Sequence, residues 1–146
     1  MERIIVVGAG GIGRACGLIL LRHYKNIHLI MADIDAAQCE NAIHWIERGL
    51  GKSPPAIENM PISDASLNDW NPSADILLDC TPGALCLSVA KVAVRNRMHY
   101  ANLTENVPET KKILELVKGH SKGFVLQTGV APGYINILTK KLIQTA

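Results

Sequence analysis

Residues 4–13 read Ile-Ile-Val-Val-Gly-Ala-Gly-Gly-Ile-Gly, and this stretch decides the fold. The unbroken run of β-branched residues from Ile4 to Val7 is typical of a strand buried on both faces, as parallel sheets covered by helices require. Three glycines follow at the spacing Gly-x-Gly-x-x-Gly, and from Ile12 to about Tyr24 apolar residues recur at helical spacing. A buried strand, a glycine turn and an amphipathic helix in this order predict the beginning of a dinucleotide-binding α/β domain.

Each glycine of such a turn has its own task. The first, Gly8, permits the tight bend; the second, Gly10, lets the backbone approach the pyrophosphate; the third, Gly13, lets the helix pack close to the strand. The helix that begins there offers unpaired backbone N–H groups and the positive end of its dipole to the phosphates. A glycine-rich turn without a ligand is the alternative, which the flanking strand and helix disfavour. The predicted cofactor-binding residues of the turn are Gly8, Gly10, Gly11, Ile12 and Gly13.

An acidic residue, Asp33, ends the second apolar run, which covers Ile27 to Ala32. A carboxylate there can accept both hydrogen bonds from the hydroxyls of the adenosine ribose. It would repel the 2′-phosphate of NADP, and the following residues, Ile34 to Ala36, contain no arginine to offset that repulsion. NAD is therefore the predicted cofactor, with NADP less favoured, and Asp33 and Ile34 join the predicted site. Two alternatives stay open: Asp33 is a solvated or capping acid, or the turn binds FAD or S-adenosylmethionine.

The rest of the chain alternates between apolar runs and helical patterns. Further strands are predicted at residues 57–60, 75–80, 98–103 and 124–127, further helices at residues 36–48, 84–97, 108–119 and 134–143, and one helical turn at residues 66–70. Asp35 is expected to cap the second helix, which Gly49 and Gly51 are expected to stop. Because parallel strands need covering connections, the alternation predicts an α/β, doubly wound parallel sheet of the Rossmann-like kind. The predicted dinucleotide-binding domain covers residues 1–133.

Composition narrows the class of partner. The 146 residues are 48% apolar and carry a net charge of +2, with scattered lysines and arginines, which disfavours nucleic acid and a membrane surface as partners. The apolar runs are too short to cross a bilayer, and no signal-peptide pattern is recognised, so a cytoplasmic location is expected. The four cysteines form no Cys-x-x-Cys pair and lie in apolar segments, which favours buried reduced thiols and gives no support for a metal site.

Four segments together resemble the saccharopine dehydrogenase family. They are the glycine turn, Asp-Cys-Thr-Pro-Gly at residues 79–83, His-Tyr-Ala-Asn-Leu-Thr-Glu at residues 99–105, and Gly-Val-Ala-Pro-Gly-Tyr-Ile-Asn at residues 129–136. The resemblance covers nearly the whole chain. Members of the family use NAD(P) to interconvert amines and imines of amino acids, so the resemblance implies an oxidoreductase that acts on the CH-NH group of a small amino-acid or imine substrate.

The resemblance also implies further cofactor-binding residues. Thr81 and Pro82, with Cys80 before them, would follow the fourth strand near the nicotinamide ribose. Asn102 and Leu103 would lie beside the nicotinamide, and Ala131 would help to close the floor of the cleft. The alternatives are a plain strand-to-helix turn at residues 81–83 and packed strand positions for His99 and Tyr100. No catalytic residue is predicted.

Two departures and the length of the chain qualify the resemblance. Many relatives have Asp at the position of Asn102, and saccharopine reductases tend to have Asp at that of Ala131; the Ala-Pro-Gly form is closer to the lysine dehydrogenase branch. In the family a substrate domain follows and supplies much of the substrate site and a dimer interface. Residues 134–146 are expected to begin the connection to that domain, which is absent here, so nucleotide binding with little turnover is expected. The resemblance allows a homodimer.

A function from another class remains an alternative. Nucleotide-sensing regulatory domains, such as the gating modules of potassium channels, have a similar glycine turn, a similar acidic residue and nearly this length. They need no substrate pocket, whereas the loops at residues 81–83 and 131–133 are those of an enzyme cleft. The enzyme is favoured on that resemblance.

Overall fold

The computed structural model describes residues 1–52, 57–62 and 67–145. A short 3-10 turn, Gly83–Leu85, precedes the third helix, and a π-type segment, Val130–Tyr134, precedes the last. In chain order the strands and helices are β1 Glu2–Val7, α1 Gly11–His23, β2 Ile27–Asp33, α2 Ala36–Leu50, β3 Ile57–Pro61, β4 Ile76–Asp79, α3 Cys86–Arg95, β5 His99–Asn102, α4 Val107–Leu116, β6 Phe124–Val125 and α5 Ile135–Thr145.

The six strands form one parallel sheet in the order β3-β2-β1-β4-β5-β6. The register sets Val7 beside Ala32 on one side and beside Asp79 on the other, so the carboxyl ends of β1, β2 and β4 meet at one edge. The strand order reverses between β1 and β4, where doubly wound sheets bind their ligands. The predicted α/β, Rossmann-like fold is confirmed.

The sheet is buried on both faces where β1 and β2 run. Ile5 and Val7 pack with α3 and α4 residues in one apolar cluster, and Val6 packs with residues of β2 and α2 in a second. Residues 4–7 are at most 5% exposed. The unbroken β-branched run therefore has the physical origin that was expected, because neither face of β1 reaches water. No helix in the described ranges has the length and apolar character needed to cross a membrane.

Several element boundaries differ from the predictions. The second helix continues through Gly49 to Leu50, and only Gly51, at φ 67°, ends it as a left-handed cap. The third begins at Cys86 because the 3-10 turn comes first, and the predicted strand at residues 124–127 pairs over two residues alone. Of the predicted turn at residues 66–70, Ser66 lies outside the described residues and Leu67–Asp69 form a turn.

Only part of the apolar stripe of α1 packs against the core, through Leu20. Ile12 and Ile19 are 63% and 57% exposed, while the buried residues of this helix are Gly13 and Gly17. A Cβ on Gly17 would lie only 3.0 Å from Leu29 Cδ2. The helix approaches the sheet so closely that glycines occupy its inner side, and the two exposed isoleucines border a groove.

Candidate dinucleotide site

A cleft of about 300 Å³ lies at the carboxyl ends of β1, β2 and β4. Seven of its lining residues are among those predicted from the sequence: Gly8, Gly10, Asp33, Ile34, Cys80, Thr81 and Pro82. Five others escaped prediction: Val7, Ile62, Leu67, Leu85 and Val89. These five are apolar residues without a motif, and only the folded sheet brings them to the cleft.

The glycine turn is held against its neighbours by backbone contacts. Gly8 has φ +95°, which favours glycine, and its N–H donates to the carbonyl oxygen of Ala32 at 2.8 Å. A Cβ on Gly8 would lie 2.8 Å from the Cys80 carbonyl oxygen, and a Cβ on Gly13 would overlap the carbonyl oxygen of Gly8. The first and third glycines are therefore required by the fold itself, whatever the turn binds.

The second glycine is in a different situation. Gly10 is the N-cap of α1 in extended conformation, and a Cβ added to it, or to Gly11, would meet no protein atom within 4 Å. The first turn of α1 contains no acidic residue, so the positive end of the helix dipole, which begins beside the cleft at Gly10, is not neutralised by a carboxylate within that turn. Nothing in the packing of the described residues requires glycine at position 10, which leaves space for a ligand that approaches the backbone.

The carboxylate of Asp33 connects the end of β2 to the glycine turn. Its Oδ2 accepts a hydrogen bond from the Ala9 N–H at 2.7 Å, and its Oδ1 accepts one from the Asp35 N–H at 3.1 Å. The cap of α2 is Asp35, whose side chain accepts from Ala37 and Gln38, so the alternative that Asp33 caps this helix is wrong. An ionised carboxylate has about four acceptor positions, so Asp33 retains capacity for a ligand in the cleft that it lines.

A buried polar network fixes the loop after β4. Asp79 is 1% exposed; its Oδ1 accepts from the N–H and the hydroxyl of Thr81, at 2.9 and 2.6 Å. Its Oδ2 accepts from the Tyr100 hydroxyl at 2.7 Å. Burial, together with the negative charge of Asp79, raises the pKa of Tyr100 well above its usual range, so the phenol stays a donor. Asp79 and Tyr100 therefore position Thr81, and Tyr100 is a packed strand residue.

Three of the predicted residues, Asn102 and Leu103 beside the nicotinamide and Ala131 at the floor of the cleft, do not line this cleft. Asn102 is 1% exposed, and its Oδ1 accepts from the Gln127 N–H at 3.0 Å, while its Nδ2 has no hydrogen-bond partner among the described residues. Leu103 faces a second groove, and Ala131 is exposed in the segment before α5. Gly129 nevertheless packs against the Leu103 carbonyl oxygen, which brings this last loop to the end of β5.

The second groove has a volume of about 350 Å³ and lies where the apolar stripe of α1 faces β4 and β5. Ile12 and Ile19 border it from the helix, and Leu78 and Ala101 from the strands. Cys80 lines this groove as well as the cleft, so it lies between the two spaces. Gly11 and Gly13, by contrast, line neither.

The parallel sheet with reversed strand order, the glycine turn at its switch point and the acidic residue after β2 define a Rossmann-type dinucleotide-binding domain. A family model described as the saccharopine dehydrogenase NADP binding domain matches residues 4–125. The chain belongs to this family, which confirms the resemblance read from its motifs.

Solved structures agree on the fold. Apo saccharopine dehydrogenase (L-Glu forming) from Saccharomyces cerevisiae has a TM-score of 0.74 and 16% identity, over 99% of this chain and 31% of that protein. Quinate dehydrogenase from Corynebacterium glutamicum, in complex with NAD, has a TM-score of 0.63 and 19% identity, over 89% of this chain and 45% of that protein. Shikimate dehydrogenase from Mycobacterium tuberculosis has a TM-score of 0.64 and 12% identity, over 86% of this chain and 45% of that protein. The chain thus spans less than half of each. No curated protein matches it in sequence.

Proposed function

We propose that this chain binds NAD(H) in the cleft at the ends of β1, β2 and β4, as the cofactor-binding domain of an oxidoreductase that acts on the CH-NH group of an amino acid. The observation that carries the proposal is that Gly10, Asp33 and Thr81 line one cleft. Gly10 offers backbone that a pyrophosphate can approach, and Asp33 offers a carboxylate for a ribose diol. Thr81 offers a hydroxyl that its hydrogen bond to Asp79 holds in place. The amino-acid substrate rests on the family to which the chain belongs.

The electrostatics of the cleft favour NAD over NADP. Asp33 would repel a 2′-phosphate, and none of the described residues that line the cleft is a lysine or an arginine. The phosphates of the dinucleotide would be bound by the N–H groups and the positive dipole end at the start of α1. The apolar side chains of Ile34 and Ile62 line the same cleft and supply a surface for the adenine ring.

The nicotinamide end is proposed on the other side of the switch point. Thr81 and Pro82 line the cleft there, and the Thr81 oxygen keeps lone pairs after its proton is donated to Asp79. Asn102, Leu103 and Ala131 stay predictions for this end. Asn102 would act through the backbone of residues 127 and 128. Its side-chain oxygen accepts from the Gln127 N–H, and its backbone carbonyl oxygen accepts from the Thr128 N–H.

Asp33→Asn tests the ribose contact. We expect the dissociation constant for NADH, measured by the change in nucleotide fluorescence, to rise about tenfold or more, because a hydrogen bond to a charged group contributes roughly 1.5–3 kcal/mol. The matched control is Asp35→Asn, which removes the same charge two residues away and keeps a good N-cap, so its NADH affinity and its stability stay unchanged. Equal losses in both variants, or tighter binding of NADPH than of NADH by the unmodified chain, would contradict the proposal.

Turnover by these 146 residues alone is expected to be small. Hydride transfer requires the substrate to be held against the nicotinamide, and in the proposed enzyme residues beyond the cleft do this. NADH formation from NAD and lysine or saccharopine, followed by absorbance, should therefore stay far below the order of 10 s⁻¹ that is typical of enzymes. NADH binding measured on the same sample is the control. Turnover at such a typical rate would contradict the expectation.

A cytoplasmic location stays a prediction.

A further inference from the structure

The connection between β3 and β4 supplies part of the wall of the cleft. In its described part, Leu67–Asp69 form a turn and residues 70–74 are irregular chain that leads to β4. Leu67 lines the cleft together with Val89 of α3. The connections that cover parallel sheets are usually helices, whose own hydrogen bonds fix their shape. An irregular segment lacks such bonds, so its position depends on contacts with other parts of the chain.

Arg95, in the last turn of α3, makes three hydrogen bonds to this segment. Its Nε donates to the Asn71 side-chain oxygen at 2.9 Å, and its Nη2 donates to the carbonyl oxygens of Leu67 and Trp70 at 3.1 and 2.7 Å. The Asn71 amide is oriented in turn, because it donates to the Asp69 carbonyl oxygen at 2.9 Å. One guanidinium group therefore connects three positions of the segment to α3.

The apolar side chains of the segment hold it in a less specific way. Leu67, Trp70 and Ala74 are partly buried and pack against the apolar cluster that includes Val89. Apolar contact is not directional, so it keeps the segment on the sheet without fixing which atoms border the cleft. The donors of Arg95 lie in one plane at fixed angles, so they select one arrangement of the acceptors.

We propose that Arg95 is a positioning residue for the adenine end of the dinucleotide, which acts by fixing Leu67 in the wall that Ile34 and Ile62 also line. This inference rests on the proposed binding of NAD(H). Arg95 is not among the residues that line the cleft, so it acts through the segment that it holds. The faces of an adenine ring bind to apolar side chains, and its affinity depends on how closely those side chains surround it.

Arg95→Lys tests the proposal, because lysine keeps the charge and an extended stem but has no rigid, planar set of donors. We expect the backbone order parameters of residues 67–71, from ¹⁵N relaxation of the unliganded chain, to fall from about 0.85 towards the flexible range below about 0.6. The dissociation constant for NADH, measured by nucleotide fluorescence, should rise about fivefold.

The matched control is Arg22→Lys. Arg22 also donates to a distant backbone carbonyl oxygen, that of Gly49 at 2.8 Å, and neither of these two residues lines the cleft. This variant should keep the NADH affinity of the unmodified chain and its order parameters at residues 67–71. A urea denaturation curve for each variant verifies that the chain is folded.

A double-mutant cycle separates positioning from a merely structural role. Leu67→Ala removes the side chain through which Arg95 is proposed to act, and it should weaken NADH binding to a similar extent. In the Leu67→Ala background, Arg95→Lys should add less than about a twofold loss, because the two residues act through one contact. A structural role elsewhere would multiply the two losses instead. Asn71→Ala, which removes one acceptor of Arg95, should weaken NADH binding in the same direction.

Three results would overturn the positioning role while the proposed function stands. They are an NADH affinity of Arg95→Lys equal to that of the unmodified chain, unchanged order parameters at residues 67–71, and multiplied losses in the double variant. Failure of the unmodified chain to bind NADH would instead overturn the proposed function, and the positioning role with it. The measurement on the unmodified chain thus distinguishes the two failures.

Discussion

Gly13→Ala is expected to lower the free energy of unfolding by about 3 kcal/mol or more, at the upper end of what overpacking costs. The added Cβ would overlap the Gly8 carbonyl oxygen and would lie 3.3 Å from Val6 Cγ1. The overlapped atom belongs to the backbone of the turn, so it cannot rotate away, and α1 must move off β1. Such a loss is a large fraction of the 5–15 kcal/mol by which domains are usually stable.

Urea denaturation followed by tryptophan fluorescence measures this loss. The matched control is Gly11→Ala, two residues earlier in the same helix, where an added Cβ meets no atom within 4 Å. Alanine is a better helix residue than glycine, so the control should be as stable as the unmodified chain or more stable by up to about 1 kcal/mol. Similar denaturation midpoints for the two variants would show that α1 does not depend on close contact at Gly13.

Gly10→Ala is expected to weaken NADH binding by about a hundredfold or more while the fold is kept. Gly10 has φ −67° and ψ −166°, which alanine adopts without strain, and the added methyl group would meet no protein atom within 4 Å. In the proposed complex it would occupy the position from which the backbone approaches the pyrophosphate. The same substitution therefore spares the protein and obstructs the ligand.

Fluorescence titration with NADH, beside a urea denaturation curve for each sample, measures this separation. Gly123→Ala is a suitable control because Gly123 lies before β6 and lines neither the cleft nor the groove. Its NADH affinity should equal that of the unmodified chain. If Gly10→Ala bound NADH with undiminished affinity, the glycine turn would not be the pyrophosphate site, and the proposed function would lose its main support.

The parts of the fold that follow from local chemistry were predictable from the sequence. The β-branched run at residues 4–7 indicated a strand without a solvent face, and Asp35 has the side chain that caps a helix. The glycine spacing located the turn, and seven of the predicted residues meet in one cleft. Such signals are carried by a few neighbouring residues, so no knowledge of the tertiary structure was needed to read them.

What escaped prediction depends on residues far apart in the sequence. Asp79 positions Thr81 only because Tyr100, 21 residues later, donates to its other oxygen. The periodicity of α1 indicated an apolar side, but not that glycines would make the closest approach to the sheet or that Ile12 and Ile19 would stay exposed. Ile62 reaches the cleft because its N–H donates to the Asp33 carbonyl oxygen at 2.8 Å. No sequence motif near Ile62 indicates this contact.

The two hydrogen bonds accepted by Asp33 have a consequence for the kinetics of binding. One carboxylate holds the N–H groups of Ala9 and Asp35, so the glycine turn, the end of β2 and the start of α2 keep one arrangement before any ligand arrives. A ligand that meets such a surface does not have to order a loop and avoids that entropic cost. For this part of the site we therefore expect the encounter itself, rather than a change of shape, to set the rate at which the proposed dinucleotide associates.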